Sequence, residues 1–218
     1  MKVILFGATG MVGQGVLREC LLAADVASVL SIGRTATGQQ HAKLREIVHA
    51  DLTSYTALEA DLAGHDACFF CLGVSAAGLS EQDYTRITYD ITLAAAQTLA
   101  RLSPGMTFIY VSGEGTDSTE QGRAMWARVK GRTENALLAL PLKAVMFRAG
   151  LIRPLHGIKS KTRLYRIGYA VIWPLFPVLR ALGAMTTTER VGRAMLRVAR
   201  EGSPKPLLVN REIDALGA

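Results

Sequence analysis

Gly7, Gly10 and Gly13 follow an apolar run from Val3 to Phe6 and lead directly into a helical pattern. Val12, Val16, Leu17, Cys20 and Leu21 share one face of that pattern. A strand, a glycine turn and a helix in this order can hold the pyrophosphate of a dinucleotide. Gly7 lets the chain turn sharply, Gly10 lets backbone approach the pyrophosphate, and Gly13 lets the helix sit close to the strand. Thr9, Met11 and Val12 complete the turn, and the first helical N–H groups there lack partners and carry a partial positive charge. A second group belongs to the same chemistry. Sites for NAD usually place a carboxylate at the end of the next strand, about 20 residues after the glycines, to hold the ribose 2′-hydroxyl. Here that stretch reads Ser31-Ile32-Gly33-Arg34-Thr35, with no carboxylate. Arg34 is a fixed cation with a planar fork suited to phosphate, so the expected cofactor is NADP(H), with NAD possible.

Other reactive side chains point nowhere in particular. Cys68 and Cys71 form a C-x-x-C, but side chains three apart in a strand leave from opposite faces, so the thiols cannot meet. His41, His49, His65 and His156 show no ligand spacing, and no metal site is expected. Three cysteines are too few for a disulfide framework and suit a reducing, cytoplasmic setting.

The elements that would position these groups alternate along the chain. Strands are expected over Val26–Ile32, Leu44–Ala50, Ala67–Leu72, Met106–Val111, Ala144–Arg148 and Leu207–Val209. Ser80 reads as the N-cap of a helix running to about Leu102, with Asp83 three residues on. A helix from about Glu120 to Leu140 ends at Pro141, and Thr188 caps another through Arg200. Such alternation predicts an α/β fold: a doubly wound parallel sheet with helices on both faces. At 218 residues the chain suits one domain, with residues 152–202 as a partly helical segment on the substrate side.

The G-x-x-G-x-x-G spacing, worded Gly7-Ala8-Thr9-Gly10-Met11-Val12-Gly13, resembles the extended and atypical short-chain dehydrogenase/reductases, which include nucleotide-sugar epimerases and dehydratases. The resemblance covers residues 1–152, implies an NAD(P)-binding Rossmann fold, and reaches the closing elements of the small Tat-interacting oxidoreductase branch only loosely. It implies that Asp51-Leu52 meet the adenine and that Cys71-Leu72-Gly73 border the nicotinamide ribose. It likewise places Ala149, Gly150, Leu151 and Ile152, after Arg148, beside the nicotinamide.

The same resemblance implies a catalytic serine after the fifth strand and a Tyr-x-x-x-Lys on the next helix. A tyrosine that exchanges a proton near neutrality must have its pKa lowered from about 10. A lysine one helical turn on lowers it and reaches the ribose. Ser112 and Lys130 match, but the tyrosine position is Trp126. An indole N–H donates a hydrogen bond and does not ionise usefully. Glu114, Tyr165 and Tyr169 are the candidates for a replacement proton donor.

Net charge is +7, unevenly placed: residues 1–110 hold seven Lys/Arg against ten Asp/Glu, and residues 111–218 hold eighteen against eight. That asymmetry suits an anionic partner, whether a phosphorylated small molecule or an acidic membrane surface. No nucleic-acid motif accompanies the charge, so nucleic acid is not expected. Ile167–Leu182 is apolar but only sixteen residues long, contains Pro174, Pro177 and Arg180, and falls short of the roughly 20 residues a span needs. It reads as a substrate-covering segment or, with Lys159 and its basic neighbours, as a peripheral membrane contact. The N-terminus enters a strand at once, so no cleavable signal peptide is expected. Three readings stay open: a reductase or epimerase-like enzyme on an unidentified, possibly phosphorylated small molecule, a non-catalytic cofactor-binding regulator, and a peripheral membrane protein.

Overall fold

The computed structural model describes residues 1–158 and 183–218. Seven strands form one sheet in the order β3-β2-β1-β4-β5-β6-β9, and every neighbouring pair is parallel. They are β1 (Lys2–Phe6), β2 (Ser28–Gly33), β3 (Leu44–Val48), β4 (Ala67–Phe70), β5 (Thr107–Val111), β6 (Lys143–Arg148) and β9 (Leu207–Val209). A separate parallel pair joins β7 (Leu151–Arg153) to β8 (Met185–Thr187). The helices are α1 (Met11–Leu22), α2 (Glu59–Leu62), α3 (Glu81–Thr85), α4 (Ile91–Leu102), α5 (Met125–Leu138), α6 (Thr188–Glu201) and α7 (Asn210–Leu216).

Parallel strands need crossovers, and the crossovers cover both faces, so the central strands can be apolar throughout. Alternation then sorts their side chains into two cores. Val3, Leu5, Phe69 and Phe147 pack with Val16 and Leu17 of α1 and with Val191 and Met195 of α6. Ile4, Phe6, Phe70 and Tyr110 pack on the other face with Ala96 and Leu99 of α4 and Leu137 of α5. Each fully buried Phe contributes about 1.5–3 kcal/mol relative to exposure. This doubly wound architecture is the one expected from the alternation.

The strand order reverses direction between β1 and β4, which opens a crevice at the carboxyl ends of the strands. Close helix packing holds α1 beside it. A Cβ on Gly15 would lie 2.5 Å from the Thr188 Cβ, and one on Gly192 would lie 2.8 Å from the Glu19 Cγ.

Four details differ from expectation. The helix opened by Ser80 is interrupted by a π turn over Arg86–Asp90, although Ser80 does cap it by accepting from the Asp83 N–H at 3.1 Å. α5 begins at Met125, because residues before it fold around Asp117, whose carboxylate accepts from the Thr119 and Gly122 N–H groups. Thr187, and not Thr188, caps α6 by accepting from the Arg190 N–H at 3.1 Å. The second to fifth strands each span fewer residues than the stretches expected for them.

Of the segment 152–202, the described part supplies β7, β8 and α6. Tyr165, Tyr169 and the basic apolar stretch 159–182 lie outside the described residues. Among the described residues, no helix is long and apolar enough to cross a membrane.

Candidate active site and cofactor cleft

The crevice at the carboxyl edge of the sheet divides into two cavities that share Val74. The first, about 510 Å³, is lined by the glycine turn, the end of β2 and the turn after β4. Gly7 has φ +79°, and a Cβ there would lie 2.6 Å from the Leu72 nitrogen, so the turn admits only glycine. The Gly10 N–H donates to the Gly7 carbonyl at 2.9 Å and closes the turn. Gly10 is then the N-cap of α1 without a side-chain cap, which leaves the first helical N–H groups open to an anion. A Cβ on Gly13 would lie 2.1 Å from the Gly7 carbonyl oxygen, so this glycine brings the helix onto the strand.

Nine further residues follow from the sequence assignments. Thr9, Arg34, Leu52, Cys71, Leu72 and Gly73 line this first cavity. Arg34 is exposed and has no ion pair among the described residues, so its guanidinium is available to a ligand phosphate. Asp51 does not line it. Its carboxylate accepts from the Thr53 hydroxyl at 2.5 Å and the Thr53 N–H at 2.9 Å, and these bonds hold it below the usual carboxylate range. Met11 and Val12 are half-buried against the core under α1 and also stand outside the lining.

The turn therefore fits a dinucleotide pyrophosphate: a backbone cradle that a Cβ would fill, the open start of a helix, and a free cation at the end of β2.

The second cavity, about 630 Å³, is lined by Lys130, Trp126, Glu114, Tyr84, Ala149, Gly150 and Leu151, with the loop Val74–Ala77 opposite. Trp126 and Lys130 lie one helical turn apart on α5 and so share a face. The Lys130 ammonium stands 5.4 Å from the centroid of the Tyr110 ring. Burial lowers its pKa to about 8, although the nearby Glu134 acts the other way. The Tyr110 phenol is pushed up by its own burial and, in smaller part, by Tyr84 and Glu134.

The benzo edge of Trp126 rests on the turn after β5. A Cβ on Gly115, at φ +84°, would lie 3.4 Å from the Trp126 Cη2. Ser112 is buried just before that turn, and its hydroxyl donates to the Phe147 carbonyl at 3.4 Å. Ser112 is thus next to the cavity and not among its lining residues. Ile152 is buried in β7, behind Leu151.

Two residues that the sequence reasoning passed over shape this end. Tyr84 is buried in α3 and reaches the cavity wall; no spacing in the chain ties it to Lys130. Asn210 is buried, accepts from the Gly150 N–H at 2.9 Å and donates to the Gly183 carbonyl at 2.8 Å. It locks the turn after β6 to the strand pair β7–β8. Arg148, before that turn, forms a buried pair with Glu134 through its Nε and Nη2 at 3.1 and 2.5 Å. The Cys68 and Cys71 thiols fall in opposite cores, and burial pushes both well above the ordinary thiol range.

Comparison with known proteins agrees with this geometry. A family model described as NAD(P)H-binding matches residues 7–143. The chain belongs to that family. Protein fmp52-2, mitochondrial, of Aspergillus oryzae is 27% identical over 153 residues, covering 68% of this chain and 66% of that protein. Botcinic acid biosynthesis cluster B protein 16 of Botryotinia fuckeliana is 35% identical over 92 residues, covering 40% of this chain and 54% of that one. The matches thus span about half to two thirds of these relatives. Among solved structures, the Bordetella bronchiseptica enzyme WbmF in complex with NAD+ superposes with TM-score 0.69 at 15% identity, covering 99% of this chain and 76% of that one. UDP-glucuronic acid 4-epimerase from Bacillus cereus in complex with NAD superposes with TM-score 0.71 at 12% identity, covering 96% and 78%. The fold of these epimerase-like proteins is shared, as the resemblance to short-chain dehydrogenase/reductases implied.

Proposed function

We propose that this NAD(P)-binding protein is an NADP(H)-dependent, short-chain-reductase-like enzyme acting on a small molecule, with an epimerase-like reaction as the variant form. The observation that carries this reading is Arg34: it lines the cofactor cleft at the end of β2 where NAD sites place a carboxylate. Bound NADPH would supply a hydride. The glycine turn and the start of α1 would hold its pyrophosphate, Arg34 its 2′-phosphate, and Lys130 its nicotinamide ribose. Lys130 also faces the second cavity, where its ammonium can donate to a substrate oxygen. Glu114 lines the same cavity and is the described candidate for proton exchange.

A second reading is favoured by Trp126. An indole in the phenol's place leaves a protein that binds cofactor and does not turn it over. Trp126→Tyr separates the two. A large gain in NADPH oxidation by a carbonyl panel means the remaining site is assembled for catalysis. No turnover in either protein, with NADPH binding intact, favours the regulator.

Three free cysteines fit a reducing compartment, and we place the protein in the cytoplasm. The relatives named mitochondrial make that organelle the alternative, which cell fractionation decides. A contact of residues 159–182 with anionic lipid is tested by vesicle co-sedimentation at low and high salt.

A further inference from the structure

We infer that the cavity beside Trp126 takes a small, flat, uncharged carbonyl compound, aromatic or conjugated, and not a nucleotide-linked sugar. The inference rests on reading the adjoining cleft as the NADP(H) site, and it concerns the substrate class of the same protein.

Three observations carry it. The first is the wall. Val74, Ala76, Ala77, Trp126 and Leu151 give the 630 Å³ cavity an apolar lining, within the usual size range for small-molecule sites. Val74 and Leu151 are 38% and 37% exposed, and both of these open apolar side chains flank this cavity. Exposed apolar surface gathered at a concave site is a signature of ligand contact.

The second is the seating of the indole. Position 126 carries an indole, which has no usefully ionisable group and the largest aromatic surface among the side chains. Gly113 and Gly115 lie under its benzo edge: added Cβ atoms there would be 3.9 and 3.4 Å from the ring. The ring is thus backed by these two glycines, and offset stacking on such a platform is worth about 0.5–1.5 kcal/mol beyond the area buried.

The third is charge. Among the described lining residues the ionisable groups of opposite sign are Lys130 and Glu114, one of each. The Glu114 carboxylate stands so close to Gly150 that a Cβ there would lie 2.6 Å from its oxygen. A carboxylate at the cavity edge repels a diphosphate. A neutral carbonyl oxygen needs only one donor, which the Lys130 ammonium provides.

The test is binding, measured by calorimetry and by ligand-observed NMR on the full chain. The probes are 2-naphthaldehyde and UDP-glucose, each titrated into the protein alone and with saturating NADPH. The expected result is saturable binding of 2-naphthaldehyde that weakens about tenfold in Trp126→Ala, as lost stacking and contact area require. Leu151→Asp, at an exposed position, weakens it similarly and guards against a folding defect in the tryptophan variant. UDP-glucose at about 1 mM neither binds nor competes, which places any dissociation constant above that value. Binding of UDP-glucose in place of the aldehyde overturns the proposal. So does an aldehyde affinity that is absent, or unchanged in both variants. Failure of the dinucleotide reading shows separately, as no heat with NADPH while the aldehyde still binds the protein alone.

Discussion

The Lys130 ammonium lies 5.4 Å from the centroid of the Tyr110 ring, so this lysine of the second cavity's described lining rests on the aromatic floor of the sheet. Its charge is held over a buried phenol and under a half-open cavity, and burial brings its pKa down to about 8. The folded protein therefore binds this proton more weakly than the unfolded chain does. Stability from this group rises with pH between about 8 and the unfolded value of 10.5, and is flat below that window. Lys130→Met removes the rise. It also stabilises the protein at neutral pH by on the order of 1–2 kcal/mol, after allowing for solvent reaching the ammonium. Urea unfolding of both proteins between pH 7 and 10 checks the sign.

Arg34→Ala weakens NADPH by about 10- to 100-fold, the worth of a charge-assisted contact to a phosphate. NADH affinity stays within about twofold, because NADH lacks the 2′-phosphate. Competitive titration of the two reduced cofactors reads the ratio. Equal losses for both would remove Arg34 from the 2′-phosphate site.

Arg148→Met leaves the Glu134 carboxylate, 1% exposed, without its guanidinium partner. An uncompensated buried charge costs about 3–5 kcal/mol. Replacing both residues with apolar ones of similar volume recovers most of that loss. Chemical denaturation of the single and double variants measures the coupling.

Asn210→Ala removes the partner of the half-buried Gly150 N–H and Gly183 carbonyl, at a cost of about 1–3 kcal/mol in all. Because Gly150 lines the second cavity, this variant also weakens ligands there while leaving the glycine turn untouched. Hydrogen exchange at Gly150, compared with exchange at Gly10, separates the local effect from general loosening.

The glycine turn and the sheet were legible because their causes are local. Gly7 is forced by its own φ, and the apolar runs are forced by burial on both faces. What escaped depends on partners distant in the chain. The start of α5 was hidden because Asp117 gathers Thr119 and Gly122, and because Gly131 lets that loop lie against the helix, where a Cβ would be 1.7 Å from the Asp117 carbonyl oxygen. The pair β7–β8 joins two three-residue strands across a long insertion, too short for periodicity to show. Asn210 reads in sequence as a polar residue near a C-terminal helix, and only the fold brings it to Gly150. Asp51 stands outside the lining of the first cavity, and its own Thr53 satisfies its carboxylate locally. Trp126 was legible as a departure, whereas its seat on Gly113 and Gly115 was not.

Isothermal titration of the purified chain with NADPH and NADH, alongside a Gly13→Val variant, is the most direct test that the opening turn grips a dinucleotide. Saturable heat with NADPH, weaker heat with NADH, and none with the variant, whose side chain must displace the Gly7 carbonyl, is the result expected. No heat from either cofactor at millimolar concentration, or undiminished binding by Gly13→Val, would contradict it.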